Sequence, residues 1–248
     1  MKSLKTFLLL AVTIFATSSC SAEKNTTVKD QLAKAKDNNN MVLMVVTDKN
    51  NSAEKMNGLV KESIKDLQNI TIVQMSMDDE KNADLVKEYK LSGAPMPVLL
   101  LFSNKGLMLG GMVEAQVTKE AIVDAIPTPK YSDITFALSQ GKPVFAVVSN
   151  NKFKSDKSAR ELCESAKKEM TGKAEIIVID AEDAKESKLI SMLNIKNKLE
   201  DTFIIAINGQ GIMSGRFDVI PAQTELVAAA TKVVQSGCAP GGCTPTCK

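Results

Sequence analysis

Apolar residues along the chain occur either at a helical spacing or in unbroken runs, and the same order of these two patterns occurs twice. A helical spacing over residues 30–35 precedes an unbroken apolar run at 41–46, which predicts a strand buried on both faces. The second half repeats this order, with a helical stretch at 133–138 and an apolar run at 144–148. The repeat distance of about 102–105 residues predicts two copies of one structural unit.

The correspondence continues to the end of each copy. A second amphipathic helix, a second strand, a third helix, a hairpin and a terminal helix follow in the same order, so each copy reads βαβαββα after its leading helix. This order predicts an α/β fold of two tandem domains, each a mixed central sheet flanked by helices. We place the domains at 26–127 and 131–235, joined by a proline-containing connection at 126–130.

One segment of the first unit is similar to a known family. Ser92-Gly93-Ala94-Pro95-Met96-Pro97, directly before the apolar run 98–102, resembles the loop in which thioredoxins carry a cis-proline ahead of a buried strand. Pro97 is the expected cis residue, since an X-Pro bond lowers the cost of cis to about 0.5–1 kcal/mol; Pro95 is the alternative. The resemblance covers 28–235 and implies two tandem thioredoxin-like domains, of which the first is the closer match.

The cysteines of that family are missing from the expected positions. Thioredoxins place a Cys-x-x-Cys pair after the first strand, where the helix dipole lowers the thiol pKa. The matching stretches here are Asn51-Ser52-Ala53-Glu54 and Phe153-Lys154-Ser155-Asp156, and the second unit has Thr202 at the proline position. The chain also contains no histidine. We therefore assign no catalytic residue and favour a protein that is not an enzyme.

The loop itself remains a candidate binding site. The resemblance implies that the backbone before the cis-proline pairs with an extended peptide, a mode of binding that needs no cysteine. Met96 and Pro97 are the residues expected at such a site, and a methionine side chain adapts to varied apolar ligands. The alternative is that Met96 only fills space. The expected partners are peptide or protein clients.

The N-terminus predicts export. Two lysines and an apolar run at 7–16 precede small residues and Cys20, a pattern typical of a secretory signal. The segment resembles a bacterial lipobox, which implies a signal peptide at 1–20 and a lipid on Cys20; ordinary cleavage after Ala22 is the alternative. The lipobox reading predicts a bacterial cell-envelope protein, in the periplasm or at the cell surface, anchored to the membrane by lipid.

The last residues form a predicted flexible tail, 236–248, rich in glycine, proline and cysteine. Cys238, Cys243 and Cys247 could form a disulfide, exchange disulfides with a partner, or bind a soft ion such as Cu(I) or Zn²⁺. Thiol–disulfide exchange and metal binding through this tail are the alternatives to a binding module. No other cofactor is assigned.

The charge balance argues against nucleic acid as a partner, and one further cysteine is expected to be structural. The chain has 31 basic and 29 acidic side chains, so it offers no electrostatic reason to bind nucleic acid. Cys163 falls on the apolar face of a predicted helix and is expected to be a buried, inert thiol.

Overall fold

The computed structural model describes residues 26–150, 152–195 and 199–234. The first domain begins with a helix whose N-terminus is capped by Thr27, which accepts a hydrogen bond from the N–H of Asp30. Its elements are α1 (Val28–Asp37), β1 (Met41–Thr47), α2 (Glu54–Ser63), β2 (Ile70–Ser76), α3 (Ala83–Glu88), β3 (Val98–Phe102), β4 (Met108–Val113) and α4 (Lys119–Ala125).

The second domain repeats this order of elements. Its first helix starts at Pro129, a residue suited to the first helical turn because it lacks an N–H, and the Thr128 side chain caps it. The elements are α5 (Pro129–Ser139), β5 (Val144–Ser149), α6 (Asp156–Glu169), β6 (Glu175–Asp180), α7 (Ser187–Met192), β7 (Phe203–Ile207), β8 (Met213–Phe217) and α8 (Gln223–Thr231).

Each domain is built on one four-stranded mixed sheet. The strand order is β2-β1-β3-β4 in the first domain and β6-β5-β7-β8 in the second. In each, the first two strands are parallel, the third strand pairs antiparallel with the first, and the fourth pairs antiparallel with the third. This order and connectivity confirm the predicted α/β fold with two tandem thioredoxin-like units.

The central strands are buried on both faces because helices cover both sides of each sheet. Along β1, Met44 packs in the cluster that includes Val28 and Ala35 of α1, whereas Leu43 packs with Met56 and Val60 of α2. Alternate residues of a strand face opposite sides, so an unbroken apolar run is the sequence that such a sheet needs.

Side-chain contacts join the two domains in addition to the short covalent connection. The Lys188 Nζ of α7 donates hydrogen bonds to the carbonyl oxygens of Asp124 and Ile126, at and just after the end of α4. Lys105 of the first domain also lies 3.3 Å from the carboxylate of Asp133 in α5. These contacts hold the end of the first domain against α5 and α7 of the second. Among the described residues, no helix is long and apolar enough to cross a membrane.

Candidate functional site

The loop before β3 contains the cis peptide bond, between Met96 and Pro97. Pro97 is buried directly ahead of the strand, whereas Pro95 is exposed, so Pro97 is the cis residue expected from the sequence. The Met96 side chain is half-buried and packs against the cluster that contains Leu85 and Leu91. The predicted peptide-binding residues thus occupy the rim of the first domain.

The backbone of Met96 is available for hydrogen bonding. Upstream of it, Gly93 adopts a φ of 80°, and the N–H of Ala94 donates to the Leu91 carbonyl oxygen at 3.0 Å. Neither the N–H nor the C=O group of Met96 bonds to any residue that the structure describes. Met96 is only half-buried, so backbone groups there without a partner in the described structure are open to pairing with another chain.

The segment that replaces the thioredoxin cysteines emerges at the same end of the sheet. Val46 of β1 pairs with Val98 of β3, so the residues after β1 and those before β3 leave the sheet side by side. In the segment after β1, the Asp48 carboxylate accepts hydrogen bonds from the side chain of Asn51 (2.8 Å) and the N–H of Asn50 (2.9 Å). The Asn51 hydrogen bond is the main cause of the lowered pKa of Asp48. Helix α2 then begins without a side-chain cap.

In the second domain, hydrogen bonds among its own residues occupy the equivalent position. We call this contact between Ser155 and Asp201 the closure of the second domain. Asp201, just before β7, accepts hydrogen bonds from the Oγ (2.6 Å) and the N–H (3.2 Å) of Ser155, which precedes α6. Its carboxylate also accepts from the N–H of Thr202 at 2.8 Å. The Ser155 hydroxyl is the largest cause of the lowered pKa of Asp201. A carboxylate at the start of a helix is favourable because the N–H groups there carry partial positive charge.

A second, buried contact lies beneath this closure. The hydroxyls of Ser149 and Thr202 are 2.5 Å apart, and both residues are almost fully buried. Thr202 therefore stands in the position predicted from the sequence but forms a hydrogen bond in place of a cis-proline turn. The two domains differ at this end: in the first, the backbone of Met96 has no hydrogen-bond partner among the described residues, whereas in the second, side-chain hydrogen bonds join the segments that precede α6 and β7.

Replacing Asp201 with alanine is expected to lower the free energy of unfolding by about 1 kcal/mol at pH 7, since the start of α6 loses its carboxylate partner. The Asp201 pKa is lowered from 3.8 in the folded protein, so the stabilisation is present above the unfolded value and is lost as the pH falls through the folded value. The difference between the two proteins should thus shrink as the pH falls below the ordinary value of 3.8, as measured by urea unfolding followed by circular dichroism.

The matched control is Asp218→Ala, which removes an exposed carboxylate whose ion pair within the described part of the chain is with Arg216. This variant should stay within about 0.5 kcal/mol of the wild type. Equal effects of the two substitutions, or an effect of Asp201→Ala that persists at low pH, would contradict the closure described above.

The remaining site residues expected from the sequence divide into two groups. Cys163 is fully buried in α6, as predicted, and burial raises its pKa to about 12. In the described ranges, no cluster of acidic or cysteine side chains is arranged to hold a metal ion. The other predicted thiol positions lie outside the described residues, and their roles stay predictions: Cys20, Cys238, Cys243 and Cys247.

Comparisons with known proteins add structural neighbours at low identity. No protein-family model matches the chain, and no curated protein matches it either. The first two thioredoxin domains of Eps1p from Naumovozyma dairenensis share 10% identity, with 79% of this chain and 92% of that chain covered and a TM-score of 0.32. Zinc-bound human ERp44 shares 13% identity, with 71% and 49% covered and a TM-score of 0.31.

A bacterial neighbour is the NTD_N/C domain of alkylhydroperoxide reductase AhpF from Enterococcus faecalis. It shares 13% identity, with 82% of this chain and 98% of that chain covered and a TM-score of 0.27. At these TM-scores the fold assignment depends on the strand order and connectivity of each sheet. By that criterion, the chain contains two tandem thioredoxin-like domains, and neither has a cysteine pair where thioredoxins carry theirs.

Proposed function

We propose that this protein is a non-catalytic binding module that holds extended peptide segments of client proteins at the loop before β3. The observation that carries the proposal is the free backbone of Met96, which has no hydrogen-bond partner among the described residues. An extended segment beside this loop would satisfy those groups as an added strand does. The proposed chemistry of the site is binding alone, because the matching segment 51–54 has no cysteine and the chain has no histidine to activate the hydroxyl of Ser52.

The side chain of Met96 defines the kind of client. Its exposed part is apolar and flexible, and the preceding residue, Pro95, is also exposed. A thioether adapts to apolar side chains of different shapes, so clients with apolar residues in extended conformation fit best. Such segments are exposed in unfolded or partly folded proteins.

The closure in the second domain supports a division of roles. Asp201, at the position that corresponds to Met96, is already hydrogen-bonded to Ser155. A peptide would have to break those hydrogen bonds in order to pair with the second domain at this position. Client binding at this type of loop is therefore assigned to the first domain only.

The N-terminal sequence supplies the proposed location. A lipid on Cys20 would attach the module to a membrane of the bacterial cell envelope, with clients in the periplasm or at the cell surface. The spacing between Cys20 and α1, which begins at Val28, would keep the first domain close to that membrane.

The test uses reduced, carboxymethylated α-lactalbumin as a permanently unfolded probe. Met96→Asp is expected to weaken binding at least about ten-fold, because a carboxylate must lose water when an apolar segment covers it. The matched control is Met192→Asp, since Met192 is 56% exposed in the second domain. Binding measured by titration calorimetry that is equally strong for wild type and Met96→Asp would overturn the proposal.

A further inference from the structure

The outer edge of the second sheet has a strand with a neighbour on one side only. Strand β6 stands at the end of the order β6-β5-β7-β8 and pairs with β5 alone among the described strands. Its sequence, Glu175-Ile176-Ile177-Val178-Ile179-Asp180, is apolar apart from its two ends. A free edge of this kind is a template for another strand unless something covers it.

Hydrogen bonds at the two ends of β6 show which backbone groups point outward. The N–H of Glu175 donates to Pro143, and the N–H of Ala181 donates to Ser149, both at 2.8 Å and both on the β5 side. Backbone direction alternates along a strand, so the odd-numbered residues between them also face β5. The N–H and C=O groups of Ile176 and Val178 therefore point away from the sheet.

A groove of about 300 Å³ runs beside this edge. Its lining includes Ile176, Ile177 and Val178 of β6 together with Phe136 and Ala137 of α5. The groove thus offers apolar contacts next to the free backbone groups. An extended segment there would find both the hydrogen bonds and the side-chain packing of a sheet strand.

The charges around the groove are predominantly positive. Lys105 (3.3 Å) and Lys130 (4.0 Å) share the single carboxylate of Asp133. Lys142 (2.8 Å) and Lys167 (3.4 Å) share that of Glu175. Two carboxylates pair with four ammonium groups around the start of β6, an excess of two positive charges there, whereas Asp180 carries a negative charge at the other end of the strand. Electrostatic complementarity of this kind selects an acidic partner.

We propose that β6 binds an extended segment of a partner protein in which apolar and acidic residues alternate. The segment adds a fifth strand to the second sheet, its backbone pairs with Ile176 and Val178, and its carboxylates lie near Lys105 and Lys142. This surface is on a different domain from Met96 and does not depend on the binding proposed there.

The first test is fluorescence anisotropy with a short labelled peptide of alternating valine and glutamate, added to the full-length protein. Lys105→Gln combined with Lys142→Gln is expected to weaken binding at least about ten-fold, because the peptide carboxylates lose their cationic partners. The matched control is Lys61→Gln with Lys81→Gln, which makes the same change of charge at exposed lysines of the first domain. It should change binding less than about two-fold.

Two control peptides separate charge from backbone pairing. A valine–lysine peptide should bind at least about ten-fold more weakly than the valine–glutamate peptide. Two N-methylated valine–glutamate peptides, each methylated on a different set of alternate residues, should be weakened to the same extent. Equal affinity of the N-methylated peptides would overturn strand addition. Loss of binding in Met96→Asp, with no change in the Lys105/Lys142 variant, would overturn the location.

Amide hydrogen exchange measured by NMR provides the residue-level test. The peptide should slow exchange at Ile176 and Val178 at least about ten-fold, while Ile72 and Gln74 of the first domain stay unchanged. Those two residues are the matched control, because the N–H of Met77 donates to Thr47 and the same alternation directs them outward from β2. Protection of Ile176 and Val178 without peptide, together with a dimer in sedimentation, would show that a second copy covers the edge and overturn the proposal.

Discussion

Replacement of Phe145 by alanine is expected to lower the free energy of unfolding of the second domain by about 3–5 kcal/mol. Phe145 lies in the central strand β5 and has 0% of its surface exposed. Many of its buried neighbours are small, among them Ala159, Ala166 and Ala206. Small side chains cannot extend into the vacated volume, so most of the cavity should persist and should lower the free energy of unfolding in full.

Chemical unfolding followed by far-ultraviolet circular dichroism measures this effect. The control is Met192→Ala, which shortens a side chain that is already 56% exposed and should change stability by less than about 0.5 kcal/mol. A loss below about 1.5 kcal/mol for Phe145→Ala would mean that the core around β5 collapses readily or is less tightly packed than described.

The thiol of Cys163 is expected to react with iodoacetamide about a thousand-fold more slowly in the folded protein than an exposed cysteine does at pH 8. Burial is the main cause of its raised pKa of about 12, and the neighbouring charge of Glu164 adds to it. Only the thiolate is nucleophilic, and it forms as the pH rises through the pKa. Between pH 7 and 9 the folded protein should thus hold almost no reactive Cys163.

Mass spectrometry of the peptide that contains Cys163 follows the reaction apart from the other cysteines. The matched control combines Cys163→Ala with Glu164→Cys, which moves the thiol to the next, exposed position of α6. That variant should be alkylated rapidly, and the wild type should become equally reactive in concentrated guanidinium chloride. Equal rates at Cys163 in native and denaturing buffer would show that the thiol is not shielded by the fold.

The fold was predictable because local patterns determine most of it. The apolar runs at 41–46 and 144–148 became β1 and β5, the central strands of each sheet. The repetition of the whole order made the second, less similar unit recognisable from the first. Pro97 was identifiable as the cis residue from the resemblance of its loop to that of thioredoxins, and Cys163 as buried from the apolar face of its helix.

The closure of the second domain was not predictable in the same way. Ser155 and Asp201 are separated by 46 residues, and Ser149 and Thr202 by 53. Each is a common polar residue, and only the pairing of β5 with β7 brings the segments together. The sequence shows that residues 153–156 lack cysteines, but it does not show that Ser155 within them is hydrogen-bonded to Asp201. The free edge of β6 likewise depends on the order of strands in the sheet.

The contact of Lys188 with the carbonyl groups of Asp124 and Ile126 should raise the affinity of the protein for a long polypeptide partner. Because it fixes the end of α4 against α7, the Met96 loop and the β6 edge should keep a constant separation. A polypeptide long enough to occupy both would bind the second surface as an intramolecular step. Two weak contacts would then act at an effective concentration of the order of millimolar and together bind with avidity that neither domain has alone.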